Sequence, residues 1–176
     1  MSRSNNIKYT VIAGICLALC MYLPFLTMNF QPFGQAISLM HIPVLLCGFF
    51  CGARYGAIVG ATAPLLRFML FGMPPIMPMG VAMCFELAVY GLTAALFYKW
   101  FPKKAVFVYI SLILSMLFGR IVWGLAMWRL SEVVTDVSFG FRAFLDGAFI
   151  YAWVGIVLHI IVIPPIVIVV NKIIRS

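Results

Sequence analysis

The chain has 176 residues, 65% of them hydrophobic and 9% charged, whereas soluble globular chains run at about 45–50% apolar and about 25% charged. A water-soluble domain is therefore excluded, and the chain reads as an integral membrane protein. Six apolar spans of about 20 residues each use most of its length, which leaves no room for a nucleotide-binding or catalytic domain and makes a gradient or a partner the energy source.

Barrel-strand alternation is absent, so helices must satisfy the backbone in lipid. Helix 1 is expected over 8–26, running outward. Arg3 and Lys8 ahead of an apolar run imitate a signal sequence, and Leu17-Ala18-Leu19-Cys20 imitates a lipoprotein cleavage box. A bulky Leu19 stands where cleavage needs a small residue, so the segment reads as a retained helix. Thr10, Gly14 and Ala18 recur every four residues along it, a small-xxx-small strip that lets another helix approach closely. A neutral outer segment, Thr27 to Ser38, carries Gln31, Pro32 and Gly34.

Helix 2 returns over 39–53, and Gly52-Ala53-Arg54-Tyr55-Gly56 makes a tight inner turn into helix 3 over 56–71. Gly72-Met73-Pro74-Pro75-Ile76-Met77-Pro78 cannot be regular helix. Helix 4 covers 79–100, Pro102-Lys103-Lys104 turns the chain, and helix 5 covers 105–128. A polar outer loop, Arg129 to Gly140, precedes a long helix 6 over 141–173, with a kink expected at Pro164-Pro165.

Charge orients this bundle. Arg3, Lys8, Arg54, Lys99, Lys103, Lys104, Lys172 and Arg175 fall at one set of ends, with no acid among them, and these eight cations equal the net charge of +8. Arg67, Arg120, Arg129 and Arg142 balance Glu86, Glu132, Asp136 and Asp146 in the other half. The positive-inside rule puts the N- and C-termini in the cytoplasm. The basic balance thus reports topology, and nucleic acid is not needed to explain it.

Counting along each helix in its own direction, His41, Arg67, Glu86, Arg120, Arg142 and Asp146 lie in the outer half, while His159 is nearly alone in the inner half. Charges in a bilayer are costly and are paired or line a site, so this grouping suggests a polar pocket opening outward. Met79, Met83, Glu86 and Tyr90 share one face of helix 4, and Met116, Arg120, Trp123 and Met127 share one face of helix 5. A charge set among thioether and aromatic surface suits a small-molecule site. The alternative for Glu86 and Arg120 is a mutual ion pair, for Arg142 and Asp146 a pair one turn apart, and for the stripes and histidines ordinary core packing.

Six short spans with cytoplasmic ends, the small-residue strip on helix 1, and the run Gly52-Ala53-Arg54-Tyr55-Gly56-Ala57-Ile58-Val59-Gly60 together resemble the substrate-binding S components of energy-coupling factor (ECF) vitamin transporters. The resemblance covers nearly the whole chain. It implies a non-enzymatic, multi-pass protein of the bacterial cell membrane that captures a vitamin or related micronutrient from outside. It also implies a transmembrane coupling subunit and two cytoplasmic ATPase subunits as partners, with ATP hydrolysed there and no cofactor here. The docking surface it implies on helix 1 is carried by Gly14 and Ala18. The substrate site it implies draws on the first outer loop and helices 4 to 6, which hold Gln31, Glu86, Tyr90, Arg120, Trp123, Asp146 and Tyr151.

Arg67 and Arg120 at pocket depth favour an anionic group, because guanidinium matches carboxylate. Pantothenate is the first candidate, with riboflavin, a thiamine precursor, a lipoate-like acid and a queuosine precursor open. A rival reading is a soft-metal, Cu(I)-type or other stand-alone permease. Met69, Met73, Met77, Met79 and Met83 crowd one region, and Cys16/Cys20 and Cys47/Cys51 are each one turn apart. Buried thiols also serve as small apolar groups, and no metal ligand is assigned.

Overall fold

The computed structural model describes residues 3–27, 38–134 and 139–175, and all regular structure among them is helical. The elements are α1 (Arg3–Tyr22), prolonged by a 3-10 turn (Leu23–Thr27), α2 (His41–Cys51), α3 (Ala53–Phe71), α4 (Val81–Trp100), α5 (Ala105–Val134), α6 (Phe141–Leu145) and α7 (Trp153–Arg175). Four stretches are long and apolar enough to cross a membrane: Asn6–Phe25, Ile76–Trp100, Ala105–Val134 and Trp153–Ile173. α3 has 19 residues but carries Arg54 and Arg67. α2, with 11 residues, spans roughly 17 Å against a hydrocarbon core of about 30 Å.

Although short, α2 is central. Nine of its residues, from His41 to Cys51, are buried, and it packs against α1, α3, α4 and α7. Glycine makes the closest of these contacts possible. A Cβ on Gly48 would lie 2.5 Å from the Gly91 carbonyl oxygen, and one on Gly56 would lie 2.6 Å from the same atom. One on Gly60 would collide with the Leu87 carbonyl. Backbones thus meet directly, the small-residue packing that lipid-embedded helices use where no hydrophobic force separates them from acyl chains. The exterior is apolar, with Ile7 of α1, Leu70 of α3, Ile113 of α5 and Ile161 of α7 among the exposed side chains. In water such a surface would aggregate; in a bilayer it is the solvated face.

Several boundaries follow local chemistry. Gly52 takes φ +88°, a value that disfavours other residues, and so turns α2 into α3 at a single position. α3 ends where Gly72 adopts the left-handed conformation and donates its N–H to the Phe68 carbonyl at 2.8 Å. Met77 is extended, so the proline-rich segment interrupts regular helix as its sequence dictates, and a wide turn over Ile76–Gly80 leads into α4. α5 runs six residues past its expected end at 128, through Val134, because nothing from Arg129 to Val134 breaks a helix.

The helix expected over 141–173 is interrupted by a wide turn, although Leu145, Asp146 and Tyr151 keep right-handed helical angles. α6 stops at Leu145, a wide turn covers Asp146–Ile150, and the Tyr151 N–H donates to the Asp146 carbonyl at 2.8 Å. Gly147 sits in this turn: a Cβ there would stand 2.9 Å from Cη2 of Trp123, so the bare backbone seats against the indole. α7 then continues as helix through Pro164 and Pro165.

The orientation expected from the charge split is testable in a cysteine-free background. Val133, 83% exposed at the end of α5, should be labelled as Val133→Cys by a membrane-impermeant thiol reagent on intact cells. Lys103→Cys should react only after permeabilisation. Equal labelling of Lys103→Cys in intact cells would reverse the topology.

Candidate functional site

A carboxylate inside a bilayer needs compensation, because hydrocarbon offers it no hydration. Glu86, in α4 and 2% exposed, has it from three sides. Arg120 of α5 places Nη1 3.1 Å from Glu86 Oε1, Tyr90 donates its hydroxyl to the same oxygen at 2.9 Å, and His41 Nε2 lies 3.7 Å away. Tyr90 reaches Glu86 because the two are one turn apart and because Gly119 of α5 leaves room for its ring; a Cβ there would overlap the ring carbons.

His41 opens α2. Its backbone N–H and its ring Nδ1 both donate to the Ser38 carbonyl, each at 3.0 Å, and Ser38 itself takes φ 49°. The ring is therefore fixed against Tyr90 (centroids 5.3 Å apart) and His159 of α7 (5.8 Å). His159, 1% exposed, joins this layer, contrary to the inner-half depth expected for it. Depth counted along one helix does not give this; the packing of α7 against α2, which brings the His159 ring to His41, does. Among the described residues, both ring nitrogens of His159, His41 Nε2 and Arg120 Nε have no hydrogen-bond partner.

Above this layer the helices diverge in length. Cys20 Sγ approaches the Met40 carbonyl at 3.6 Å, so α1 reaches the level of the α2 start at Cys20 and continues past it. The contacts of Gly56 with Gly91 and Gly60 with Leu87 set an antiparallel register in which Arg67 of α3 stands opposite Gly80. That is six residues, roughly 9 Å, beyond Glu86. Arg67 is buried, donates Nη1 to the Met21 carbonyl at 3.2 Å, and lies 5.4 and 5.7 Å from the ring centroids of Phe25 and Phe71. No carboxylate among the described residues pairs with it.

Trp123 of α5 lies in the same direction as Arg67. It is buried with Ala82, Met127 and Ala148 and packs on Phe139 and Phe144. Phe139 and Phe144 also wall a neighbouring apolar cleft of about 470 Å³ between α5 and α6, lined further by Gly124, Trp128 and Phe141.

Of the residues singled out from sequence, Glu86, Tyr90 and Arg120 form one bonded group, and Trp123 is one turn beyond it. Asp146 is half-buried in the wide turn. Its ion pair with the exposed Arg142, one of two readings left open, is not formed. Tyr151 is 69% exposed on the bundle exterior, and Gln31 lies outside the described residues. Phe139, Phe144 and Gly119 went unnoticed, since aromatic and small residues are abundant throughout this chain.

Cys16, Cys20, Cys47 and Cys51 pack in one apolar cluster with Ala13, Val44 and Leu87, and Met69, Met73, Met77 and Met79 are spread over the exposed surface. Among the described residues no three His, Cys, Asp or Glu side chains converge as metal ligands. The soft-metal reading gains no support from this arrangement.

A polytopic helical membrane protein with one polar layer and small-residue helix packing is the class that these features define. Residues 8–174 match the family described as ECF transporter, substrate-specific component, and the chain belongs to that family. Neither curated proteins nor solved structures give a match. Membership makes it a substrate-binding membrane subunit of a transporter whose other parts are a membrane coupling subunit and ATPases.

The geometry predicts that Glu86 and Arg120 are energetically one unit. Glu86→Gln leaves Arg120 buried without a counter-charge and should cost about 3–5 kcal/mol of stability. Glu86→Gln combined with Arg120→Gln should regain most of it. Thermal unfolding of the ligand-free protein in detergent measures both, and a double variant no more stable than Glu86→Gln alone would contradict the pairing.

Proposed function

We propose that this protein captures a vitamin-sized micronutrient from outside a bacterial cell membrane, in a six-crossing topology with both termini cytoplasmic, for uptake driven by ATP hydrolysis in its partner ATPases. The observation that carries this reading is that α2 begins at the level of Glu86, while α1, α3, α4 and α5 continue beyond it. A helix that starts partway up a bundle leaves a cup above its N-terminus, with the His41–Glu86–Tyr90–Arg120–His159 layer as the floor. Trp123 offers an aromatic wall. Asp146, half-buried in the turn after α6, is assigned to the rim of the same site.

The substrate proposed is a carboxylated vitamin such as pantothenate. Glu86 already neutralises Arg120, so Arg120 acts within the floor, with Nε left to donate. Among the described residues, Arg67 bonds a carbonyl and lies against two aromatic faces, and a buried guanidinium so placed favours an incoming carboxylate. The ligand would then extend between Arg67 and the floor, a span of roughly 9 Å.

Mass spectrometry of the small molecule that co-purifies with the protein should identify a carboxylic acid. Arg67→Gln should weaken its binding roughly 30-fold or more, given about 2–5 kcal/mol for one partner of a desolvated charged contact and 1.4 kcal/mol per tenfold. A neutral co-purifying ligand, or unchanged affinity in a well-folded Arg67→Gln protein, would reject the carboxylate and leave riboflavin-like substrates.

The partner surface proposed is the strip Thr10, Gly14 and Ala18 of α1. All three face outward, and a Cβ on Gly14 would meet nothing within 4 Å, which supports a role outside the bundle. Gly14→Leu with Ala18→Leu should abolish transport by the assembled complex, since two isobutyl groups hold an approaching helix away. Ligand binding by the isolated variant should stay within about twofold of the parent, because the strip touches no site residue. Normal transport by the variant would remove α1 from the docking surface.

A further inference from the structure

At the end of the bundle opposite the proposed cup, a cavity of about 510 Å³ opens between the α4–α5 turn and the last turns of α7, with Tyr98, Lys103, Lys104, Val108, Ile168 and Lys172 in its lining. We propose that it binds the phosphate headgroup of an anionic phospholipid. Three lysines converge on the recess, and no acidic residue lines it. Both ion pairs among the described residues involve Glu86, so Lys104 and Lys172 have no carboxylate partner there.

Lys103 is held in place: its ammonium sits 3.4 Å from the Tyr98 ring centroid and donates to the Tyr98 carbonyl. Clustered cations of this kind attract a polyvalent anion, and phosphate accepts from several ammonium groups at once. The other half of the wall is apolar. Val108 is buried and Ile168 half-buried, which favours an amphiphile over a fully hydrated anion. The recess also sits where the apolar exterior of α4, α5 and α7 gives way to lysines, the depth of lipid headgroups.

An acidic protein segment is the competing occupant. It is disfavoured because the recess lies between hydrophobic helices at the bilayer edge, where lipid is always present. Basic pockets of this type between membrane helices on the cytoplasmic side select anionic headgroups, with about 1 kcal/mol from each lysine.

The full chain, purified in neutral detergent, is titrated with phosphatidylglycerol or phosphatidylcholine and followed by native mass spectrometry and melting temperature. One phosphatidylglycerol should be retained preferentially and should raise the melting temperature. Lys104→Gln with Lys172→Gln should weaken that preference roughly 30-fold, about 2 kcal/mol at 1.4 kcal/mol per tenfold. Its melting temperature in neutral lipid should be unchanged, since both side chains are exposed.

A control, Lys8→Gln with Arg54→Gln, removes two exposed cations that do not line the cavity and should retain the preference. An equal loss in that control, or full preference in the Lys104/Lys172 variant, would reduce the effect to general charge attraction and overturn the site. Inorganic phosphate or glycerol 3-phosphate that gives the same stabilisation and displaces the lipid would overturn the lipid assignment in favour of a soluble phosphate ligand.

Discussion

A buried carboxylate surrounded by hydrocarbon is the constraint on which the rest of this architecture depends. Glu86 cannot remain ionised there without opposite charge and donors at close range, and its partners come from different helices: Arg120 from α5, Tyr90 from α4 itself, and His41 from the first turn of α2. Meeting that demand fixes the relative depth of three helices. It also requires Gly119, because only an unsubstituted α5 backbone lets the Tyr90 ring lie flat enough to reach the carboxylate.

Close backbone packing follows from the same geometry. With α2 drawn in at the level of Glu86, it must share the interior with α3 and α4, and Gly48, Gly56, Gly60 and Gly91 let the three come within backbone contact. α2 can be this short because its companions carry the span past it. The polar layer below its start is compensated without a ligand, while one guanidinium, Arg67, has no acid partner among the described residues.

The two ends of the bundle differ in kind. One balances its charges internally, while the other concentrates lysines around an open recess. α1 stands at the periphery, holding the core through Ala13, Cys16 and Cys20 and turning Gly14 and Ala18 outward. A helix anchored on one face and nearly featureless on the other can bind a partner without disturbing the floor of the site.

Composition, hydropathy and charge sums act locally and add along the chain, so the sequence by itself determined that this is a helical membrane protein. The interruption of regular helix at Met77 and the turn at Gly52 were legible for the same reason. Tertiary structure decided what depends on register between distant segments. Whether Glu86 met Arg120, whether Arg142 met Asp146, and which side of α1 faced outward could not follow from spacing along a single helix. His159 shows the cause most directly: its ring meets His41 of α2 across the bundle, a contact that no count along one helix supplies. Tyr151, just past the wide turn, faces the exterior. Periodicity counts residues along one helix, and only the packing between helices fixes which residues share a level.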